Sequence, residues 1–123
     1  MARSWTLYTY PGCTSCRAAE AWLKEMNIDV TKVHIYNDPP DRQILKALAS
    51  KLQGGVSALI GTRGRAYKEL GLAGKALSDD EWLDLIEKTP RLLRRPILTD
   101  GDTVMVGFVK EAWEKALAGA SKA

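Results

Sequence analysis

The apolar residues of this chain fall into short runs with different periods, and each run predicts one element. Trp5–Tyr10 is dense in aromatic and β-branched residues and is stopped by Pro11-Gly12, which predicts a strand. Ala19, Trp22, Leu23 and Met26 then recur at helical spacing until Asn27, and Thr14 and Ser15 stand where capping hydroxyls would open that helix. Val30–Tyr36 alternates Val33 and Ile35 with Lys32 and His34, the period of a second strand. Pro39-Pro40-Asp41 opens a second helix with Ile44, Leu45, Leu48 and Leu52 on one face, and Gly54-Gly55 breaks it. Short helical pieces are expected around Val56–Ile60 and Ala66–Leu70, punctuated by glycines. Ser78-Asp79-Asp80-Glu81 has the spacing of a capping box, ahead of a helix burying Trp82, Leu83 and Ile86 and closed by Thr89-Pro90. Pro96–Thr99 and Val104–Phe108 read as strands around an Asp100-Gly101-Asp102 hairpin turn. Val109, Ala112, Trp113, Ala116 and Leu117 form the stripe of a last helix.

The resulting order is β-α-β, a helical block, then β-β-α. This predicts an α/β chain with a thioredoxin-like fold, a mixed four-stranded sheet interrupted by a helical insertion between its halves. The strands of the βαβ unit are expected to be parallel. At 123 residues the chain fits one domain, with the thioredoxin-like core at about 4–37 and 90–118 and the insertion at about 40–89.

Composition narrows the function. The formal charge of +3 comes from 18 basic and 15 acidic residues, and the densest basic cluster, Arg91 with Arg94-Arg95, is short, so direct DNA binding is not expected. No apolar run approaches the ~20 residues of a membrane span, and no charged segment leads into an apolar one at the N-terminus, which makes the cytosol the expected compartment. No heptad seam is present, so a monomer is expected.

The two cysteines, Cys13 and Cys16, stand three residues apart at the strand-to-helix turn. A bridge across one turn staples almost nothing, so the pair points to chemistry rather than to a scaffold. Cys13 lies ahead of a helix whose unpaired N–H groups favour an anion, and Arg17 adds positive charge one turn on; both lower a thiol pKa. Cys13 is therefore the candidate attacking thiol and Cys16, inside the first turn, the candidate resolving thiol. A zinc site needs two further ligands, and His34, mid-strand and without a neighbouring ligand, does not supply them; no metal is expected. Arg63, Arg94 and Arg95 are candidates to hold an anion near the thiol. The Arg95-Pro96 bond is expected to be cis, because in thioredoxin-like folds a cis-proline opens the third strand and faces the redox cysteine. Trp22, Trp82 and Trp113 read as core, and Trp5 as partly exposed.

The segment from Leu7 to Ala19, with Tyr10-Pro11-Gly12-Cys13-Thr14-Ser15-Cys16-Arg17 at its centre, resembles the opening of the arsenate-reductase-like (ArsC) family, in particular its Spx and MgsR branch. Thr62-Arg63, Leu92-Leu93-Arg94-Arg95-Pro96-Ile97-Leu98 and Val106-Gly107-Phe108 match later landmarks in order, and the resemblance spans nearly the whole chain. It implies a thiol–disulfide oxidoreductase with Cys13 and Cys16 as its redox pair. It further implies Arg63, Arg95 and Pro96 at a substrate or anion site, with Thr14, Ser15 and Arg17 supporting the thiols. No bound cofactor is expected; glutathione, a thioredoxin or a glutaredoxin is implied as electron donor and partner. Arsenate reductases of the family carry a further arginine in the later hairpin, where this chain has Val104-Met105-Val106-Gly107, and Cys16 is not part of their pattern. The alternative the resemblance implies is an Spx-like regulator. There the same cysteines act as a redox switch with Arg95, and Gly55 lies at a contact with the C-terminal domain of the RNA polymerase α subunit.

Overall fold

The computed structural model describes residues 4–118, which divide into two compact units: 4–35 with 95–118, and Tyr36–Arg94. The first unit carries strands β1 (Trp5–Thr9), β2 (Val30–His34), β3 (Ile97–Thr99) and β4 (Val104–Val106) in one sheet of order β2-β1-β3-β4. β1 pairs with β2 in parallel, as the βαβ pattern predicts, and β1–β3 and β3–β4 are antiparallel. The sheet is mixed because a helix returns the chain from β1 to β2, whereas a tight hairpin joins β3 to β4. In that hairpin the Asp100 carboxylate accepts from the backbone N–H of Asp102 and of Thr103.

Helix α1 (Thr14–Glu25) follows β1. It ends with Asn27 at φ 59°, while the N–H of Asn27 reaches the Lys24 carbonyl and that of Ile28 reaches Leu23. This left-handed cap brings Ile28 back onto the core and leaves Met26, which the helical spacing predicts as buried, exposed instead. Helix α5 (Lys110–Ala116) is shorter than its stripe predicts: Trp113 and Leu117 are buried, but Val109 and Ala112 are exposed. One cluster on one face of the sheet joins Trp5 and Leu7 of β1 and Leu98 of β3 to Trp22 and Leu23 of α1 and Trp113 of α5. Trp113 meets Phe108 edge-on at 4.9 Å, and its indole N–H donates to the Gly107 carbonyl. Trp5, expected to be partly exposed, is 3% exposed, because β1 is an interior strand and its first residue faces this cluster. β2 is an edge strand and buries less, so the alternation of Lys32, Val33 and His34 marks it only weakly.

The second unit contains α2 (Arg42–Ser50), α3 (Arg65–Glu69) and α4 (Asp79–Lys88), with 3₁₀ turns at Gly55–Leu59 and Pro90–Leu92. Asp41 caps α2, and Ser78 with Glu81 forms the full capping box of α4. Leu45, Leu48 and Ala49 form the buried face of α2, whereas Ile44, predicted on that face, is exposed. Arg42 ties α2 to Asp80, Asp84 and Glu87 of α4.

Truncating Leu98, which is fully buried in the sheet, is expected to lower unfolding free energy by about 2–5 kcal/mol in Leu98→Ala. Losing the capping hydroxyl in Ser78→Ala is expected to cost about 1 kcal/mol. Urea-denaturation midpoints at unchanged slope check both values.

Candidate functional site

β1 delivers the chain to the Pro11-Gly12 turn, where the Cys13 N–H donates to the Tyr10 carbonyl at 3.1 Å. Cys13 is the last extended residue before α1, with φ −102° and ψ 121°, so it occupies the N-cap position itself. Its sulfur accepts the backbone N–H of Cys16 at 3.2 Å. This corrects the expectation that Thr14 and Ser15 cap the helix. Both are already helical, and their side chains lie exposed in its first turn. The Cys13 sulfur is therefore itself the cap of α1.

The turn around the thiols is exposed at Pro11, Gly12, Thr14, Ser15 and Arg17, but the thiols are mostly covered. Cys13 is 8% exposed and Cys16 fully buried, and both are free. Their acidities are perturbed in opposite directions. Burial pushes the Cys13 thiol up, yet the hydrogen bonds from Cys16, together with the hydrogen bond and positive charge of Arg95, outweigh it and hold Cys13 below its ordinary value. Cys16 is pushed up to about 12, chiefly by burial and by its hydrogen bond to Cys13, against a partial lowering by Thr9 and the Tyr10 backbone. The guanidinium acting on Cys13 is thus that of Arg95, which is half-buried, while Arg17 and Arg94 are exposed.

The Arg95–Pro96 peptide is cis, as the sequence predicts, and Pro96 is buried directly ahead of β3. The first unit therefore brings Cys13, Cys16 and Arg95 together, with Pro96 next in the chain. Arg63 and Gly55 belong to the second unit, where Arg63 is exposed. Gly55 has φ 65°, a conformation that favours glycine for backbone reasons alone. His34 packs its ring edge-on against Tyr10 at 5.4 Å. Among the described residues, no group of three or more His, Cys, Asp or Glu side chains is arranged to hold a metal ion.

Sequence reading missed three residues at this site: Thr9, Glu20 and Lys32. The Thr9 hydroxyl, buried at the end of β1, donates to Glu20 of α1 at 2.7 Å. Lys32 of β2 pairs with the other oxygen of Glu20 at 3.1 Å. A signal was present: Cys16 and Glu20 are one helical turn apart on the same face of α1.

The family model that matches this chain is that of the ArsC family, over residues 8–116. The chain is 39% identical to the uncharacterized protein YusI of Bacillus subtilis (strain 168), over 91% of this chain and 97% of that one. It is 36% identical to the regulatory protein MgsR of the same organism, over 88% of this chain and 86% of MgsR. It is also 39% identical to the global transcriptional regulator Spx of Enterococcus faecalis, over 84% of this chain and 78% of Spx. Among solved structures, a protein related to the ArsC family from Bacteroides fragilis superposes with a TM-score of 0.82 at 35% identity, covering 94% of this chain and 98% of that one. An arsenate reductase from Vibrio cholerae gives 0.79 at 27% identity, covering 96% and 98%. These neighbours place the fold among ArsC thioredoxin-like proteins.

Two measurements test the geometry of the sulfur cap. Serine at position 13 retains a capping oxygen and alanine does not, so Cys13→Ala is expected to be less stable than Cys13→Ser by about 1 kcal/mol in urea denaturation. In alkylation of the native chain, Cys13 is expected to react as a thiolate with a pH midpoint below the ~8.5 of a free cysteine. Arg95 favours the anion, so Arg95→Met must move that midpoint upward, and Arg95→Lys must move it less.

Proposed function

We propose that this chain, which belongs to the ArsC family, is a thiol–disulfide oxidoreductase in which Cys13 attacks and Cys16 resolves. The observation that carries this reading is the geometry of two free thiols within one helical turn, with Cys13 Sγ at the N-cap accepting the Cys16 backbone N–H at 3.2 Å and Cys16 fully buried; the opposite shifts in their acidities agree with it. The attacking group in such exchange is a thiolate, and the sulfur held toward the anion is the one at the mouth of the turn. The sulfur held toward the neutral thiol is buried behind it, within the same first turn. A substrate sulfur bonded to Cys13 is then released when Cys16 attacks Cys13, closing an intramolecular disulfide. Arg95, whose planar fork suits a carboxylate or an oxyanion, would orient an anionic or glutathione-like substrate at Cys13. Electrons return to the pair from a thiol donor, either glutathione or a small protein such as a thioredoxin or glutaredoxin. The likeness to an arsenate reductase supports reductase chemistry on this fold.

A second reading is favoured by the similarity to MgsR and Spx, which are named as regulators. In it the same pair is a switch rather than a turnover centre: oxidation of Cys13 and Cys16 changes affinity for the RNA polymerase α subunit, with Gly55 at the contact. Both readings need the dithiol to cycle; they differ in whether a thiol donor drives turnover.

A redox titration followed by mass shift after alkylation tests the shared chemistry. A reversible two-electron couple is expected, absent in Cys13→Ser and in Cys16→Ser. If no intramolecular disulfide forms at any potential, the two-cysteine mechanism is wrong. Where the couple forms, sustained reduction of a small disulfide at the expense of glutathione or a thioredoxin is expected. A chain that cycles only stoichiometrically and binds the α subunit in a redox-dependent way would replace the first reading with the second.

A further inference from the structure

Gly12 stands directly before Cys13, yet its backbone does not call for a glycine. Pro11 and Gly12 are the central residues of a turn closed by the Cys13 N–H on the Tyr10 carbonyl at 3.1 Å. A type II turn needs glycine at the second central position because φ is positive there. Gly12 does not have a positive φ, so the left-handed conformation that favours glycine is absent.

What excludes a side chain at position 12 is Tyr10. A Cβ there would lie 2.6 Å from Tyr10 Cε2, 3.1 Å from Cζ and 3.2 Å from Oη. Carbon atoms in ordinary contact stay about 3.5 Å apart or more, so the ring occupies the space of the missing side chain. Two constraints keep it there. Pro11 follows Tyr10, and a residue ahead of a proline is confined to extended backbone, which limits where its side chain can point. His34, the last residue of β2, meets the Tyr10 ring edge-on at 5.4 Å, a favoured arrangement of aromatic rings. Tyr10 and His34 are half-buried while Pro11 and Gly12 are exposed, so an exposed turn rests on a ring braced by the edge strand of the sheet.

This turn ends on the sulfur cap of α1. The Cys13 N–H closes the turn and the Cys13 sulfur accepts the Cys16 N–H at 3.2 Å, so a backbone shift at residue 12 acts on both hydrogen bonds at once. A donor aimed at a sulfur favours its anion, so the charge state of Cys13 depends on the shape of the turn.

We propose that Tyr10 is a positioning residue for Cys13: its ring, seated in the space that Gly12 leaves empty and braced by His34, holds the Pro11-Gly12 turn so that the Cys13 sulfur stays on the Cys16 N–H. The inference rests on the role of Cys13 as attacking thiol given above. Tyr10 acts through the backbone of the turn and through its ring, so its hydroxyl is dispensable. Glycine at position 12 and an aromatic ring at position 10 are then a single feature, because a side chain at 12 and the ring at 10 compete for one space. The titratable or charged groups acting on Cys13 are Cys16 and Arg95, and His34 faces Tyr10. All three keep their identity in the variants below.

The test is a double-mutant cycle on the reduced full-length chain, read as the pH midpoint of Cys13 alkylation with the labelled peptide identified by mass. Gly12→Ala and Tyr10→Ala are each expected to raise the midpoint on the order of one pH unit, because the hydrogen bond to the thiolate is loosened. Below both midpoints, alkylation is expected to slow about tenfold for the same reason. Gly12→Ala made in the Tyr10→Ala chain is expected to add nothing, since the space is then open. Tyr10→Phe keeps the ring and is expected to keep the wild-type midpoint. Tyr10→Leu is bulky but carries no ring, is expected to behave as Tyr10→Ala, and replaces it in the cycle should the smaller side chain unfold the protein. A ring that only packs would change the urea midpoint and leave the alkylation midpoint of the folded chain where it was. Wild-type alkylation midpoints in Gly12→Ala and Tyr10→Ala, or shifts that simply add in the double variant, would overturn the positioning role and leave Cys13 as the attacking thiol. A wild-type midpoint at or above that of a free cysteine would overturn attack by Cys13 and the positioning role with it.

Discussion

The hydrogen bond from the Cys16 backbone N–H to the Cys13 sulfur organises this molecule's chemistry. It makes a thiol side chain do the work of a helix cap, so the geometry that starts α1 is also one that favours a thiolate at Cys13. An orphan N–H at a helix start needs an acceptor, and an anionic sulfur is a better acceptor than a thiol. The favoured charge state of Cys13 and the favoured entry angle of α1 therefore reinforce each other. β1 fixes this arrangement from behind: it is hydrogen-bonded on both edges, and its last residue is Thr9, four positions before the sulfur.

The same turn separates the two thiols in chemistry as well as in space. Cys13 sits where the Cys16 hydrogen bonds and Arg95 converge, and Cys16 sits where burial dominates. Cations and hydrogen-bond donors favour the thiolate, and a low-dielectric surrounding favours the thiol. Such an asymmetric pair suits directional exchange, and it also suits a switch with one sensing and one locking sulfur. That is why a single site is compatible with likeness both to regulators and to an arsenate reductase.

Much of the fold could be read from the chain because the local signals agree. The alternation of Trp5 and Leu7, the stripe of Ala19, Trp22 and Leu23, the capping box at Ser78 and Glu81, and the turn at Asp100-Gly101 each have a short-range physical cause. The misreadings have short-range causes too. Met26 keeps the helical period but falls where the Asn27 cap turns the chain, so Ile28 takes the buried place. Thr14 and Ser15 are favoured capping residues, but the helix starts one residue earlier than they require. Val109 and Ala112 share the stripe of Trp113, but Val109 stands at the N-cap of α5 rather than within it, and both are exposed.

By itself the sequence determined the order of elements and the placement of Cys13-Thr14-Ser15-Cys16 between β1 and α1, since each depends on residues within a few positions of one another, and the thioredoxin-like order of elements implied the cis-prolyl start of β3. Only the tertiary structure decided which arginine lowers the Cys13 pKa, that Trp5 is core, and that Glu20 of α1 is joined to Thr9 and Lys32. Those outcomes depend on β3 lying against β1, on β2 lying at the other edge, and on the face that α1 turns to the sheet. Local periodicity shows that a helix has a buried face. Which distant side chains meet that face is set by strand order and register, which join residues far apart in the chain.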